Sequence, residues 1–187
     1  MGIVDVTEAL RKRRAYRSLA PVEITEDLIQ KLAESVRMAP SCSNSQPWRF
    51  VFVYEPSLLI EMQGALSSGN RWAHKASLII AVFSKAEDDC QIRDRRYHQF
   101  DTGIGVGFLL LRATELGLVA HPIAGFSPKK TRAILGIPEE YEVITLIIVG
   151  SHADALDPGL SEDQRAKEIR RPVRKRWEEF VYLNRFK

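Results

Sequence analysis

Cysteine and histidine are scarce. Two cysteines, Cys42 and Cys90, and four histidines occur in 187 residues. Two cysteines do not make a disulfide framework, and no His/Cys spacing resembles a metal site. Both thiols are therefore expected to be reduced, and no metal is expected. Long apolar runs are missing as well. None reaches the roughly 20 residues that span a bilayer, and the opening stretch MGIVDVTEALRKRR lacks the apolar core of a signal peptide. Cytoplasmic residence without a membrane contact is the resulting expectation. Nor is there an excess of one charge, since 27 Lys+Arg against 24 Asp+Glu leave +3. The basic residues nevertheless cluster, at residues 11–17, 93–96 and 165–176. No helix-turn-helix, RNA-recognition or zinc-finger pattern accompanies them, which argues against nucleic acid as a partner. A small anion held by a few arginines accounts for the clusters more economically. Repeats and low-complexity segments are absent too. One domain over residues 1–187 is expected, with residues 151–187, polar and basic, as a C-terminal extension.

What is present is a regular alternation of helical and strand patterns. Residues 6–14 suit a helix, with Asp5 or Thr7 as cap. In ITEDLIQKLAESVRM, Thr25 can cap a helix whose Leu28, Leu32 and Val36 trace an apolar stripe. Residues 50–54, 77–83 and 142–149 are apolar on both sides of the pleat and read as buried strands. A shorter strand is predicted at 118–123. Helices are predicted at 57–66, 100–116 and 128–135, the second nearly apolar all round and so central. The charged stretch 85–96 reads as a mobile surface segment. Buried strands interleaved with helices imply a sheet covered on both faces. Beyond residue 150, Trp177, Phe180, Val181, Tyr182 and Phe186 stand as isolated large apolar groups in a polar tail. Such a tail docks on its own domain or reaches a partner subunit.

One connector is unusually rich in hydrogen-bonding groups: APSCSNSQPWRF, residues 39–50. Pro40 ends the helix before it, and Pro47 biases Gln46 toward an extended conformation at the start of the next strand. Ser41, Cys42, Ser43 and Asn44 are thereby held on a short loop, where they can face a ligand or simply make a turn. A second motif, Arg13-Arg14-Ala15-Tyr16-Arg17-Ser18, places arginines at a helix end, where they can bind a phosphate. A third, His121-Pro122-Ile123-Ala124-Gly125, ends a predicted strand, and Gly125 permits close approach of backbone to a ligand. The glycines of DTGIGVGF are not a dinucleotide fingerprint, because no strand precedes them and no acidic residue ends a following strand. Each would cost a helix interior about 1 kcal/mol relative to Ala, which points to close helix packing instead.

The loop resembles the APSSxNxQPWxF signature of the nitroreductase family of FMN-dependent oxidoreductases, with Cys42 where Ser or Thr is usual. The arginine motif resembles the family's RRSxR element, with Ala15 in place of Ser, and Arg170-Arg171-Pro172 resembles its RxP element. The resemblance implies an α+β fold, a three-layer α/β/α sandwich around a mixed, mostly antiparallel sheet, with a C-terminal tail reaching the partner subunit. It implies a homodimer with two interfacial FMN sites. Arg13, Arg14, Ala15, Arg17, Pro122, Ile123, Ala124, Gly125 and Arg170 of one chain would face Pro40, Ser41, Cys42 and Asn44 of the other. Backbone N–H groups of Ala124 or Gly125 would contact flavin N5. No side chain is expected to be catalytic, because the chemistry belongs to the flavin, and His121 is expected to be structural. Asn70 and Trp72 are candidates for the substrate side. The family's activity implies ping-pong hydride transfer from NADH or NADPH through FMN to a nitroaromatic, a quinone or a related small acceptor. A carrier that holds FMN without turnover, a redox-responsive protein, and a relative with a specialised acceptor or a protein electron donor stay open as alternatives. Beside the flavin, Cys42 is expected to be an inert, small hydrophobe.

Overall fold

In the computed structural model, which describes residues 5–186, the chain folds around two long central strands. Helix α1 (Val6–Lys12) leads to a short strand β1 (Leu19–Ala20), then to α2 (Glu26–Arg37) and β2 (Arg49–Val53). Helix α3 (Pro56–Gln63) and a 3-10 segment over Ser68–Lys75 precede β3 (Leu78–Ser84). A hairpin of two-residue strands, β4 (Gln91–Ile92) and β5 (Arg95–Arg96), then opens into the longest helix, α4 (Tyr97–Glu115). Strand β6 (Val119–Ile123), helix α5 (Pro128–Leu135), strand β7 (Glu142–His152) and helix α6 (Glu162–Ile169) complete the regular structure before a last 3-10 turn, Trp177–Glu179.

The local reasons are those legible in the residues. Thr25 Oγ1 accepts the Leu28 N–H at the start of α2, with Glu26 and Asp27 in the first turn. Pro56 and Pro128 open α3 and α5, where a missing N–H costs nothing. At the end of α5, Gly136 adopts φ 65°, the left-handed cap that glycine accepts without steric cost. Ser161 and Gln164 form a reciprocal capping box that starts α6.

Strand β7 organises the sheet. It pairs with β3 along one edge and with β6 and then β1 along the other, and β2 adds to the far side of β3. The sheet was expected to be mostly antiparallel, and every pairing among the described residues is antiparallel. Alternation sorts its side chains into two cores. Leu78, Ile80, Val82, Ile147 and Val149 meet Leu32 and Val36 of α2 and Leu109 and Ala113 of α4. Ile79, Ala81, Phe83, Leu146 and Ile148 meet Met62 of α3, Trp72, Ile137 and Leu160. Helices thus cover both faces, giving the three layers expected.

Three expectations need correction. The stretch 85–96 carries regular structure: a 3-10 turn at Ala86–Asp88 and the β4–β5 hairpin. Asp88 is paired to Arg49 at 3.0 Å and to Lys85 at 3.5 Å. The two cysteines are not reduced thiols but a disulfide, Cys42–Cys90, with Cα atoms 5.9 Å apart, inside the range a bridge requires. The hairpin brings Cys90 to the connector across 48 residues of sequence, a proximity that no local pattern encodes. Helix α4 is not buried all round, since Phe100 is 65% exposed and a Cβ at Gly103 or Gly107 would meet nothing within 4 Å. Only Gly105 packs closely, 3.1 Å from Val36.

Candidate functional site

Two clusters of predicted site residues form, and no hydrogen bond among the described residues joins them. The first gathers around the segment from α1 to β1. Arg13, Arg14, Ala15 and Arg17 line a recess of about 120 Å³ together with Arg171 and Arg174. Its shape is set from the C-terminal side. Glu168, in the last turn of α6, is buried, and its carboxylate accepts the backbone N–H of Arg17 at 3.0 and 3.1 Å and of Ser18 at 2.8 Å. Arg14 donates to the carbonyls of Lys167 and Glu168, both at 2.9 Å. Arg171 donates to the carbonyls of Arg11 and Arg13.

The guanidinium groups are thereby oriented largely by neutral carbonyls, and their charge is left without a matching carboxylate. Burial, then the charges of Arg171, Arg174 and Arg14, push the Arg13 guanidinium below its ordinary value. Crowded cations of this kind are relieved by an anion. Arg170, the residue proposed from sequence, lies outside the lining, and its neighbour Arg171 lies within it. The run Arg170-Arg171-Pro172 offers two registers; which one faces the recess depends on how α6 is docked by Glu168.

The third motif abuts this cluster. His121 is buried and stacks on Trp72 with centroids 4.7 Å apart. Its Nδ1 lies 3.0 Å from the Tyr16 carbonyl, so the neutral ring carries its proton on Nδ1 and donates it there. Burial above all holds its pKa down at about 4, with the Tyr16 hydrogen bond and Glu168 opposing and Arg17 and Arg13 contributing. The ring is a neutral strut between Trp72 and the Tyr16 carbonyl. Trp72 is equally a core residue: 4% exposed, its Nε1 donating to Asn70 Oδ1 at 3.2 Å. Asn70 in turn donates to the Gly125 carbonyl at 2.9 Å, which also accepts the Ser67 N–H at 3.0 Å. A Cβ at Gly125 would stand 2.5 Å from Ser67 Oγ and 2.6 Å from Asn70 Nδ2, so glycine is required by this clamp. Pro122 and Ile123 belong to β6, while Ala124 follows it and is exposed.

The second cluster is the connector. Pro40 is exposed, and Ser41 and Cys42 are half-buried. Ser43, Asn44 and Gln46 take φ of 51°, 58° and 51°, the left-handed region, which costs non-glycine residues on the order of 1 kcal/mol or more each. The surroundings over-determine that shape. Ser41 Oγ accepts the Gln46 N–H at 2.9 Å, and Asp101 of α4 accepts the Cys42 N–H at 2.6 Å. Ser45 donates to Asp89 at 2.5 Å, and the disulfide ties Cys42 to the hairpin. Burial raises the Asp101 carboxyl, the Cys42 N–H opposes this, and adjacent Asp89 raises it further. One Asp89 oxygen is buried without a hydrogen-bond donor among the described residues.

Sequence reasoning missed Glu168, Arg171, Ser67, Asp101 and Cys90. The capping box at Ser161 and Gln164 was a readable signal for α6 and hence for a docked tail. Nothing local marks Glu168 as buried, because an acid among basic residues ordinarily reads as a solvated helix face.

The model of the nitroreductase family matches residues 10–71 and 64–151. An NADH dehydrogenase of Thermus thermophilus is 26% identical over 185 residues, covering 82% of this chain and 90% of that protein. An iodotyrosine deiodinase of Haliscomenobacter hydrossis is 29% identical, covering 82% of each. Among solved structures, an oxidoreductase containing FMN superposes with a TM-score of 0.82 at 25% identity, over 100% of this chain and 94% of that one. A structure from Exiguobacterium sibiricum solved in complex with FMN shares the fold, with a TM-score of 0.79 at 21% identity, over 98% and 99% of the two chains.

Proposed function

The chain belongs to the nitroreductase family, and from that premise we propose that it is an FMN-dependent oxidoreductase acting on small acceptors with NADH or NADPH as donor. The observation that carries the reading is the arginine recess. It concentrates unmatched positive charge on the segment 13–17, beside the Gly125 clamp, as a phosphate-bearing cofactor requires. The residues fit FMN. Arg13, Arg14 and Arg171 suit its phosphate, and Arg17, whose guanidinium lies 5.9 Å from the Trp72 ring, suits the polar edge of the flavin. Bound there, FMN supplies the two-electron hydride chemistry.

The chain's own contribution is positioning and electrostatics. Glu168 fixes the backbone of residues 17 and 18, so the arginines project from a rigid base. The clamp of Ser67 and Asn70 on the Gly125 carbonyl leaves the exposed Ala124 N–H free to meet a ring edge. Among the described residues Ala124 donates no hydrogen bond outside the regular elements. Fixed positive charge at Arg17 favours the reduced, more negative form of the cofactor. The exposed groups of α4 and of the tail, Phe100, Val173, Trp177 and Phe186, suit a homodimer interface. Such a dimer completes each site with residues 40–44 of the second chain.

The test is a visible spectrum of the purified protein loaded with FMN, followed anaerobically on adding NADPH and then NADH. Bleaching by one nucleotide and recovery with a quinone or nitroaromatic is expected. Bands that persist with both nucleotides would refute NAD(P)H as donor, and failure to bind FMN would refute the flavoprotein reading. Arg13→Ala should weaken FMN binding by about 2 kcal/mol, roughly thirtyfold, the range for a charge-assisted hydrogen bond.

A further inference from the structure

The disulfide does not belong to the arginine recess, and its surroundings differ from those of a buried structural staple. Cys90 lines a separate cavity of about 310 Å³, and Cys42 does not. That cavity is walled by Arg93, Arg95 and Arg96 against a single acid, Asp94. Arg95 donates to Tyr97 Oη at 3.1 Å, and neither Arg93 nor Arg96 forms an ion pair among the described residues. The half-buried Cys90 therefore borders a net positive pocket. Asp89 and the Cys42 and Cys90 sulfurs place their ligand atoms within 4.8 Å of one another. Asp89 lies near enough to Asp101 for its charge to raise the Asp101 carboxyl. Ser43 Oγ is 3.7 Å from Cys90 Sγ. The bond joins the left-handed connector to the charged hairpin, beside the Ser45–Asp89 hydrogen bond.

We propose that Cys42–Cys90 is a reversible dithiol–disulfide couple, that an anionic low-molecular-weight thiol is its reductant, docking through the Arg93–Arg96 pocket, and that its reduction loosens residues 41–46. The exchange balances as follows. A thiolate RS⁻ attacks Cys90 Sγ, forming an RS–Sγ bond as the Sγ–Sγ bond breaks. Cys42 leaves as a thiolate and is protonated from water. A second RS⁻ attacks the sulfur of R in the mixed disulfide, giving RSSR, and the Cys90 thiolate is protonated from solvent. Two thiols are oxidised to one disulfide, and the protein gains two electrons and two protons. Attack on Cys90 rather than Cys42 follows from which cysteine lines the cavity, and the preference for an anionic thiol follows from the arginines.

Reduction removes the covalent tie while Asp101 and Ser41 still hold the Cys42 and Gln46 N–H groups. The left-handed residues then lose part of what enforces their conformation, and the loop opens more often. In the dimer proposed above this loop is half of a flavin site. The couple itself needs no flavin, however, and its readouts use none.

The experiment takes the full-length native protein through buffers of glutathione, an anionic thiol, and its disulfide, quenches with acid, and counts alkylated cysteines by mass. Zero alkylated thiols should become two in one reversible step. At matched thiolate concentration, neutral mercaptoethanol should react more slowly by about tenfold. That advantage should vanish at 1 M salt and in the double variant Arg93→Asn with Arg96→Gln, in which Asn is chosen because position 93 has φ 59°. Hydrogen exchange at residues 41–46 should quicken by about tenfold on reduction, with β3 and β7 unchanged. Two thiols that stay reduced under glutathione disulfide, or a bond that yields only in urea, would overturn the couple. Equal rates for the two thiols would overturn the pocket's role, and unchanged exchange would overturn the coupling to the loop. A protein that binds no FMN would still give every one of these readings, so the two proposals fail separately.

Discussion

Residues 13–17 are fixed by a buried carboxylate 151 positions away, whereas residues 41–46 are fixed by a covalent bond across 48. Both are short connectors rich in polar groups, yet their support differs in kind. In the first, Glu168 accepts from two backbone N–H groups and the Arg14 and Arg171 guanidinium groups lean on carbonyls, so the backbone is held by geometry and the charge is left over for a ligand. In the second, three residues adopt a conformation they would not choose, and a disulfide, an aspartate pair and a serine enforce it. The difference teaches where each half is vulnerable. The arginine half depends on one buried acid and on the neutrality of the core behind it. The loop half depends on the oxidation state of two sulfurs.

The largest effect should come from Glu168→Ala, which strips two backbone donors, the Arg17 and Ser18 N–H groups, of their acceptor beneath the recess. An unsatisfied buried donor costs about 1–3 kcal/mol, so a loss of about 4 kcal/mol is expected. Calorimetry should show Tm falling by about 8–16 °C, and FMN binding should weaken in the same variant. A shift below 2 °C would break the contrast, since the recess would then be held by something other than Glu168.

Cys90→Ser comes next. Releasing a closed loop of this length costs about 4 kcal/mol in the chain-entropy account, and urea unfolding should register it. The effect should disappear when wild type and variant are compared in strong reductant. A difference that persists there would mean that Cys90 acts through packing, and the covalent half of the comparison would fall.

His121 sharpens the arginine half and has the smaller effect at working pH. Its folded pKa of about 4 lies below the ordinary value of 6.5. The unfolded chain therefore takes up a proton that the folded protein refuses. The stability it contributes is complete above pH 6.5 and declines as pH falls toward 4, by at most about 1.4 kcal/mol per pH unit in that window. His121→Asn should flatten the decline. An unchanged pH profile in the variant would show that another group carries the acid sensitivity.

These expectations also show what could be read without coordinates. The helix at Glu26–Arg37, the doubly buried strands and the glycine at 125 follow from short-range patterns: a cap, an alternation, a residue without a Cβ. The motif at 13–17 stood out only through its resemblance to a family element, because an arginine run by itself ordinarily reads as a solvated face. Register in the tail was not, because Arg170 and Arg171 are chemically identical in sequence. Only the docking of α6 on residues 14–18 selects Arg171 for the recess. Asn70 and Trp72 read as ligand-facing polar and aromatic groups; folding turns both toward the Gly125 loop and the core.

The sequence by itself determined the element order, the two-sided burial of the sheet and the family, because each rests on patterns that repeat every two to four residues or on contiguous motifs. Tertiary structure alone decided the disulfide, the buried glutamate and the identity of the arginines in the recess. Each of these is a pairing across 48 to 160 positions. Such a pairing has no local periodicity, and it exists only once β7 has drawn the strands together and α6 has closed over residues 14–18.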